Sequence, residues 1–256
     1  MSEEKIDFQV FRNFGPSILK VKIPNNILNS LNNLTDEILI DNERQKKLDY
    51  GNKLAGDVTQ EFQLDEEVVT KSGWLNFLST CVHKWIEIET GKKITKFNLI
   101  STWVVRQFEN EYNPTHWHSG HISGAGFLKL PKSFGKNIQK KTNAYAGGNL
   151  QLIHGSRMFM CESVVNIKPK VGDFYFFPNY LMHAVYPFKN KSSERRSISF
   201  NALIDDEIYL FCTNPMGIRL SIYIRSIGIC LEWYLSMLSG MCRDTVQRKL
   251  RHFFAV

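Results

Sequence analysis

From residue 96 onward the chain is cut into short runs rich in aromatic and β-branched residues: KFNLISTWVVRQF, HISGAGFLKL, GGNLQLI, SVVNIKP, DFYFFP, HAVYPF and RRSISFNALI. Gly, Pro, Asn and Asp punctuate them, and such side chains suit a pleated, half-buried surface. Seven such runs in succession predict a closed or double-sheet antiparallel architecture.

The preceding residues carry a different pattern. FGPSILKVKIP alternates like a strand, and Pro24 then opens NNILNSLNNLTDEILI, where Ile27, Leu31, Leu34 and Ile38 recur at four- and three-residue steps. In SGWLNFLSTCVHKWIEIETG, residues Trp74, Leu78, Cys81, Val82 and Trp85 fall near one helical face, and Gly91 is placed to end the helix. Two amphipathic helices must bury their apolar sides, so they are expected to cover the outer face of the β structure. The fold class is thus mainly β with flanking N-terminal helices (α+β).

Two stretches depart from this plan. Residues 131–148, PKSFGKNIQKKTNAYAGG, interrupt the strands as a Lys- and Gly-rich insertion of the kind that often forms a lid. Its Lys132, Lys136, Lys140 and Lys141 either draw an anionic substrate or form a solvated loop. Near residue 205 the composition shifts: twenty lysines and six arginines lie before it, one lysine and five arginines after it, with three of the five cysteines. There LSIYIRSIGICLEWYLSML is apolar, but it contains Arg225 and Glu232, and a charge at a bilayer centre costs about 2.5 to 3.5 kcal/mol. A packed or surface-lying helix is expected rather than a membrane span. The expected organisation is one domain over 1–205, helical over 1–95 with a β core over 96–205, and a divergent, partly helical C-terminal extension over 206–256.

Composition excludes several classes. With 43% apolar and 12% aromatic residues the chain can bury a sizeable core, so disorder is not its main state. The formal charge of +7 comes mostly from scattered lysines with no nucleic-acid motif, and solubility explains it as well as a polyanion does. Five cysteines at irregular spacing, with no CxxC pair, read as reduced thiols, and MSEEKIDF lacks the basic and apolar runs of a secretory leader. A cytoplasmic location is expected.

Chemistry concentrates in NPTHWHSGHISG, which puts His116, His118 and His121 within six positions. His116 and His118 are two apart, so at a strand end both point to one face and can reach one ion. Imidazole suits Fe, Zn, Cu and Ni, so the pair does not choose the metal, and paired histidines also occur in loops without an ion. Far downstream, GDFYFFPNYLMHAVYPF places His183 after an aromatic strand, and RRSISFN follows. A closed β structure can bring His183 opposite the early pair. Three ligands on one face leave positions open for an oxygen-activating iron, and a guanidinium beside the metal matches the carboxylate of a keto-acid.

Together, HWHSGHISGAGFL, GGNLQLIHG, VGDFYFFPNYLMHAVYPF and RRSISFN resemble the 2-oxoglutarate and Fe(II)-dependent oxygenases, in a phage and bacterial branch with an HxH, late His and RxSxSFN pattern. The resemblance covers residues 8–205. It implies a double-stranded β-helix, a jelly-roll and cupin-like fold, and chemistry that couples oxidative decarboxylation of 2-oxoglutarate to oxidation, usually hydroxylation, of an unknown second substrate. It implies Fe(II), 2-oxoglutarate and O2 as cofactor and co-substrates, with host cytoplasm as the location if the protein is phage-encoded. Carried over, His116 is the first iron ligand and His183 the last. Arg195 binds the distal carboxylate of 2-oxoglutarate with Ser197 beside it. Alternation supports Arg195 over Arg196, because Arg195, Ser197, Ser199 and Asn201 form a polar face and Arg196, Ile198, Phe200 and Ala202 the opposite one.

The departure is His118, which stands where most of the superfamily carries Asp or Glu, leaving the site one negative charge short. Glu109, Glu111, His121 and His154 are alternatives, whereas Asp173 in Gly-Asp reads as an ordinary turn residue. Asn149 and Gln151 are candidates for hydrogen-bonding the co-substrate. Trp117 and Tyr112 either stack on substrate or pack at the barrel mouth. His83 and His252 read as surface residues. Two competing expectations are a β-helix binding or phage-associated structural module without turnover, and a cupin-like three-His metalloenzyme that uses no keto-acid.

Overall fold

The computed structural model of the chain describes residues 7–11, 15–138, 145–191 and 193–213. The chain divides into two units, Met1–Asp206 and Glu207–Val256. Eleven strands are present among the described residues: β1 (Phe8–Phe11), β2 (Ile18–Lys22), β3 (Gln60–Gln63), β4 (Phe97–Gln107), β5 (Asn113–His116), β6 (Ile122–Lys129), β7 (Leu150–Ile153), β8 (Val164–Ile167), β9 (Asp173–Pro178), β10 (Met182–Val185) and β11 (Arg195–Ile204). They form a seven-stranded sheet, β1-β2-β9-β6-β11-β4-β3, and a four-stranded sheet, β5-β10-β7-β8. All pairings are antiparallel.

From β4 to β11 the chain passes back and forth between the sheets: β4 large, β5 small, β6 large, β7 and β8 small, β9 large, β10 small, β11 large. That winding is the double-stranded β-helix. The seven aromatic and β-branched runs of the sequence correspond to β4 and β6 through β11. Between the sheets, Ile18, Phe127, Leu150, Leu152, Tyr175, Phe177 and Val185 form an apolar core.

Helices α1 (Asn25–Ile40), α2 (Asn42–Leu48), α3 (Glu66–Lys71) and α4 (Trp74–Thr90) precede β4. On α4, Trp74 and Phe77 pack against Phe174 at 5.2 and 6.5 Å between ring centroids, so this helix covers the outer face of the large sheet. Gly91 ends it with φ +69°, its N–H bonded to the Glu87 carbonyl. Burial drives the Cys81 thiol on the same helix up to about 12, which keeps it protonated and unreactive. Close approach of the Phe rings depends on two glycines of β6. A Cβ at Gly124 would meet Phe174 at 2.6 Å and Phe200 at 2.7 Å, and one at Gly126 would also run into Phe174.

On α1 the buried residues are Ile27, Leu31, Thr35 and Ile38. Leu34, expected on that face, is only half-buried, and Thr35 takes its place because its hydroxyl is satisfied by donating to the Leu31 carbonyl at 2.7 Å. The 131–148 insertion is anchored where described: Phe134 packs on Phe188 at 5.3 Å, and Asn190 Nδ2 donates to the Ser133 carbonyl at 2.7 Å. Lys132 and Lys136 are exposed. Lys140, Lys141, the apolar stretch with Arg225 and Glu232, and His252 lie outside the described residues. The second unit is represented by α5 (Asp206–Thr213). Among the described residues no helix is long and apolar enough to cross a membrane.

Candidate metal centre and its cavity

β5 and β10 run antiparallel with His116 directly opposite His183. The winding of the β-helix therefore makes a cross-strand pair of two imidazoles far apart in sequence. His118 follows the end of β5. Its backbone N–H donates to the Asn179 carbonyl at 3.0 Å and Asn179 Nδ2 donates back to the His118 carbonyl at 3.3 Å, tying this loop to the β9–β10 turn. One ligand atom from each of His116, His118 and His183 lies within 4.8 Å of the others. The Nε2 atoms of His116 and His118 are 3.2 Å apart.

The protonation states follow from the neighbours. His116 Nδ1–H donates to the Pro114 carbonyl at 2.7 Å and His183 Nδ1–H to the Leu181 carbonyl at 2.9 Å, since a carbonyl can only accept. Each Nε2 is left with a lone pair. Burial holds His116 below the ordinary imidazole range. It holds His118 at about 3, with His116 adding to the effect and Asn201 opposing it. Burial, and then His118 and His116, hold His183 well below that range. All three rings are neutral at pH 7, and the Nε2 lone pairs of His116 and His183 stand close to the His118 ring. Two cis imidazoles at about 2.1 Å from a first-row ion stand about 3 Å apart, so the 3.2 Å separation fits the donor set of such an ion.

Arg195, at the start of β11, is 2% exposed. Its Nε–H donates to the Gly148 carbonyl at 3.0 Å and Nη1 to Ser197 Oγ at 3.1 Å, and the guanidinium lies 5.1 Å from the Phe127 ring. Burial lowers its pKa to about 9, so it is still a cation at pH 7, and no described carboxylate pairs with it. Arg196, one residue on, points the other way: it bonds Glu194, Asn32 and Asp36 under α1. Burial opposes the ionisation of Glu194, but hydrogen bonds from Arg106 and Arg196 outweigh it and hold the carboxyl at about 2.

A cavity of about 270 Å³ joins these parts; the three histidines line it together with Arg195, Ser197, Ser199 and Asn201. Trp117, 68% exposed, stands at its mouth. One further lining residue was invisible in sequence. Glu61 of β3 is 1% exposed, and neither carboxyl oxygen has a hydrogen-bond partner among the described residues. Burial first, then the charges of Asp49 and Glu111, raise its pKa to about 7. Nothing in QEFQ signals this, because one Glu in a short polar run reads as surface.

Other candidates are engaged elsewhere. Asn149 and Gln151 do not line the cavity: Leu150 between them does, so period-two alternation turns both away, and Gln151 Nε2 donates to Asn166 Oδ1 at 2.9 Å. His121 Nδ1 accepts from the Ile204 N–H at 3.2 Å, and the His154 ring lies against Gly15. Glu111 accepts from Thr59 and from the Phe108 N–H, and Glu109 is outside the cluster. Asp173 is held between Lys20 and Lys22. Tyr112 bridges to Asp57 and His83 to the Ser79 carbonyl.

Residues 101–201 match the family model described as "Putative 2OG-Fe(II) oxygenase". No curated protein matches the chain. Among solved structures, the chain is similar to a Pseudomonas putida prolyl-4-hydroxylase, with 13% identity, 76% of this chain and 91% of that one covered, and a TM-score of 0.48. It is similar to a viral collagen prolyl hydroxylase of Paramecium Bursaria Chlorella virus-1 in its 2OG complex, with 16% identity, 73% and 96% covered, and a TM-score of 0.42. A Trichoplax adhaerens prolyl hydroxylase, in complex with a hypoxia inducible factor peptide fragment, is 16% identical with 79% and 86% covered and a TM-score of 0.45. The family match spans residues 101–201, from within β4 to within β11, so the stretch that carries the three histidines and Arg195 is the part of the chain similar to 2OG-Fe(II) oxygenases.

Proposed function

We propose that His116, His118 and His183 hold Fe(II), that Arg195 with Ser197 takes the distal carboxylate of 2-oxoglutarate, and that the protein couples decarboxylation of this keto-acid to hydroxylation of a second substrate. The observation that carries this reading is one cavity holding three neutral imidazoles, two of them a cross-strand pair, beside a buried guanidinium with no carboxylate partner among the described residues. Bound iron would supply oxygen activation with the keto-acid as reductant.

The chain's own residues supply positioning. The carbonyls of Pro114 and Leu181 orient the His116 and His183 rings and keep each Nε2 unprotonated. Gly148 and Ser197 hold the Arg195 fork, which presents its remaining N–H groups to a carboxylate. Phe177, 4.9 Å from the His183 ring, and Trp103, 5.5 Å from the His118 ring, keep water from the inner side. With His118 in place of a carboxylate, a bound keto-acid would supply the negative charge at the site. The oxygenase domain is assigned to 1–205, with 206–256 an appended extension, and the free thiols of Cys81 and Cys161 favour the cytoplasm.

Succinate release under air tests this reading. The folded protein should release succinate only when Fe(II) and 2-oxoglutarate are both supplied. Absence of release with iron bound would favour the non-catalytic module, and metal binding without affinity for 2-oxoglutarate the cupin-like alternative.

A further inference from the structure

We propose that Glu61 selects the second substrate and that the substrate it selects is basic: an amine or guanidinium group seats against Glu61 while the carbon to be oxidised faces the three histidines. This deepens the oxygenase reading and rests on it. Glu61 lies on β3 at the edge of the large sheet, next to β4 and two strands from Arg195 on β11, and its side chain lines the same cavity. The cavity thus has two poles of opposite sign. Arg195 suits the anionic co-substrate; Glu61 is left for something else.

The protein treats its other buried carboxylates differently. Asp173 has Lys20 and Lys22, and Glu194 has Arg106, Arg196 and Lys129. Glu61 has no cation and no hydrogen-bond donor among the described residues, although a buried carboxyl without partners costs several kcal/mol. An amide oxygen stands near it. A Cβ on Gly56 would lie 3.1 Å from Glu61 Oε1 and 2.5 Å from Asn113 Oδ1, so both oxygens gather beside this glycine. A Cβ on Gly51 would lie 3.6 Å from Oε2, so a side chain at position 51 or 56 would crowd the carboxyl. Asp49 and Glu111 add negative charge. Among the described residues Lys53 is the one lysine lining the cavity; it sits 5.0 Å over the Tyr50 ring at the exposed rim and makes no ion pair with Glu61.

The walls suit a basic side chain as well. Tyr50 and Trp103 stand 5.9 Å apart and line the cavity beside Glu61, offering π faces to a cation and apolar surface to its aliphatic stem. A docked cation would return Glu61 to its charged form, making a charge-assisted hydrogen bond in a site shielded from water. A neutral isostere of the same shape would leave the carboxyl without a partner.

The test uses the full chain loaded with Fe(II) and 2-oxoglutarate without oxygen. Binding of lysine and arginine, free and within alanine pentapeptides, is measured by calorimetry against norleucine and citrulline in the same contexts. At least one basic probe should bind about tenfold or more tighter than its neutral isostere, and Glu61→Gln should erase the difference. Admitting oxygen should then give succinate release stimulated by that probe. Equal binding of basic and neutral probes, or no binding of any basic probe, overturns the proposal, as does a preference that survives in Glu61→Gln. The wild-type comparison decides even if that variant does not fold. Titration of 2-oxoglutarate into the same sample reads the oxygenase assignment separately: co-substrate binding with no basic preference sinks Glu61 alone, and no co-substrate binding sinks both.

Discussion

Arg195 and Arg196 are neighbours with opposite tasks, and period two is the reason. Arg195 faces the cavity with its charge unspent, whereas Arg196 is bound by Glu194, Asn32 and Asp36. Arg195→Ala should therefore weaken 2-oxoglutarate binding by tenfold or more while iron still binds, as titration of each ligand would show. Arg196→Ala should instead lower stability by about 1–3 kcal/mol, read from denaturant unfolding, because it removes hydrogen bonds to Glu194, Asn32 and Asp36 while Arg106 and Lys129 still pair Glu194. Glu61 makes the third residue-scale prediction. Its folded pKa is raised from 4.5 to about 7, so the protonated form is favoured by folding: this contribution is whole below about pH 4.5 and is lost as pH rises through about 7. Glu61→Gln should flatten that dependence and make the metal-free protein more stable than wild type above pH 7, by up to about 3 kcal/mol, in unfolding curves taken between pH 5 and 8.

At the scale of elements, the outer face of β6 shows how closely helix and sheet are matched. Gly124 and Gly126 let the Phe174 and Phe200 rings lie on the strand beneath α4, and a methyl at Gly126 has nowhere to go. Gly126→Ala should cost about 1–3 kcal/mol in unfolding without altering affinity for Fe(II), since the cavity lies on the other face. The long or strongly patterned elements were legible in sequence: α4 from Trp74, Leu78, Cys81 and Trp85, and β9 from its aromatic run. β3 and β5 were not. QEFQ and NPTH are short and polar, and both lie at sheet edges, where one flank needs no partner and a proline such as Pro114 is tolerated. Leu34 failed on α1 for another reason: a threonine that satisfies its own hydroxyl can occupy an apolar position.

For the molecule as a whole, the histidines and Arg195 could be picked out by residue type and alternation, but their meeting place depends on the β-helix winding that sets His183 across from His116. Residue type alone could not find Glu61, because its significance lies in having no partner among the described residues once β3 joins the sheet. Nor could it reject Gln151, whose side is decided by Leu150 facing inward. The central claim is that iron and 2-oxoglutarate meet between His116, His118, His183 and Arg195. Anaerobic titration of the folded protein with Fe(II) and then 2-oxoglutarate tests it most directly. The account predicts a weak visible charge-transfer band that saturates with the co-substrate, disappears in His183→Ala and needs far more 2-oxoglutarate in Arg195→Ala; no band from folded wild-type protein would contradict it.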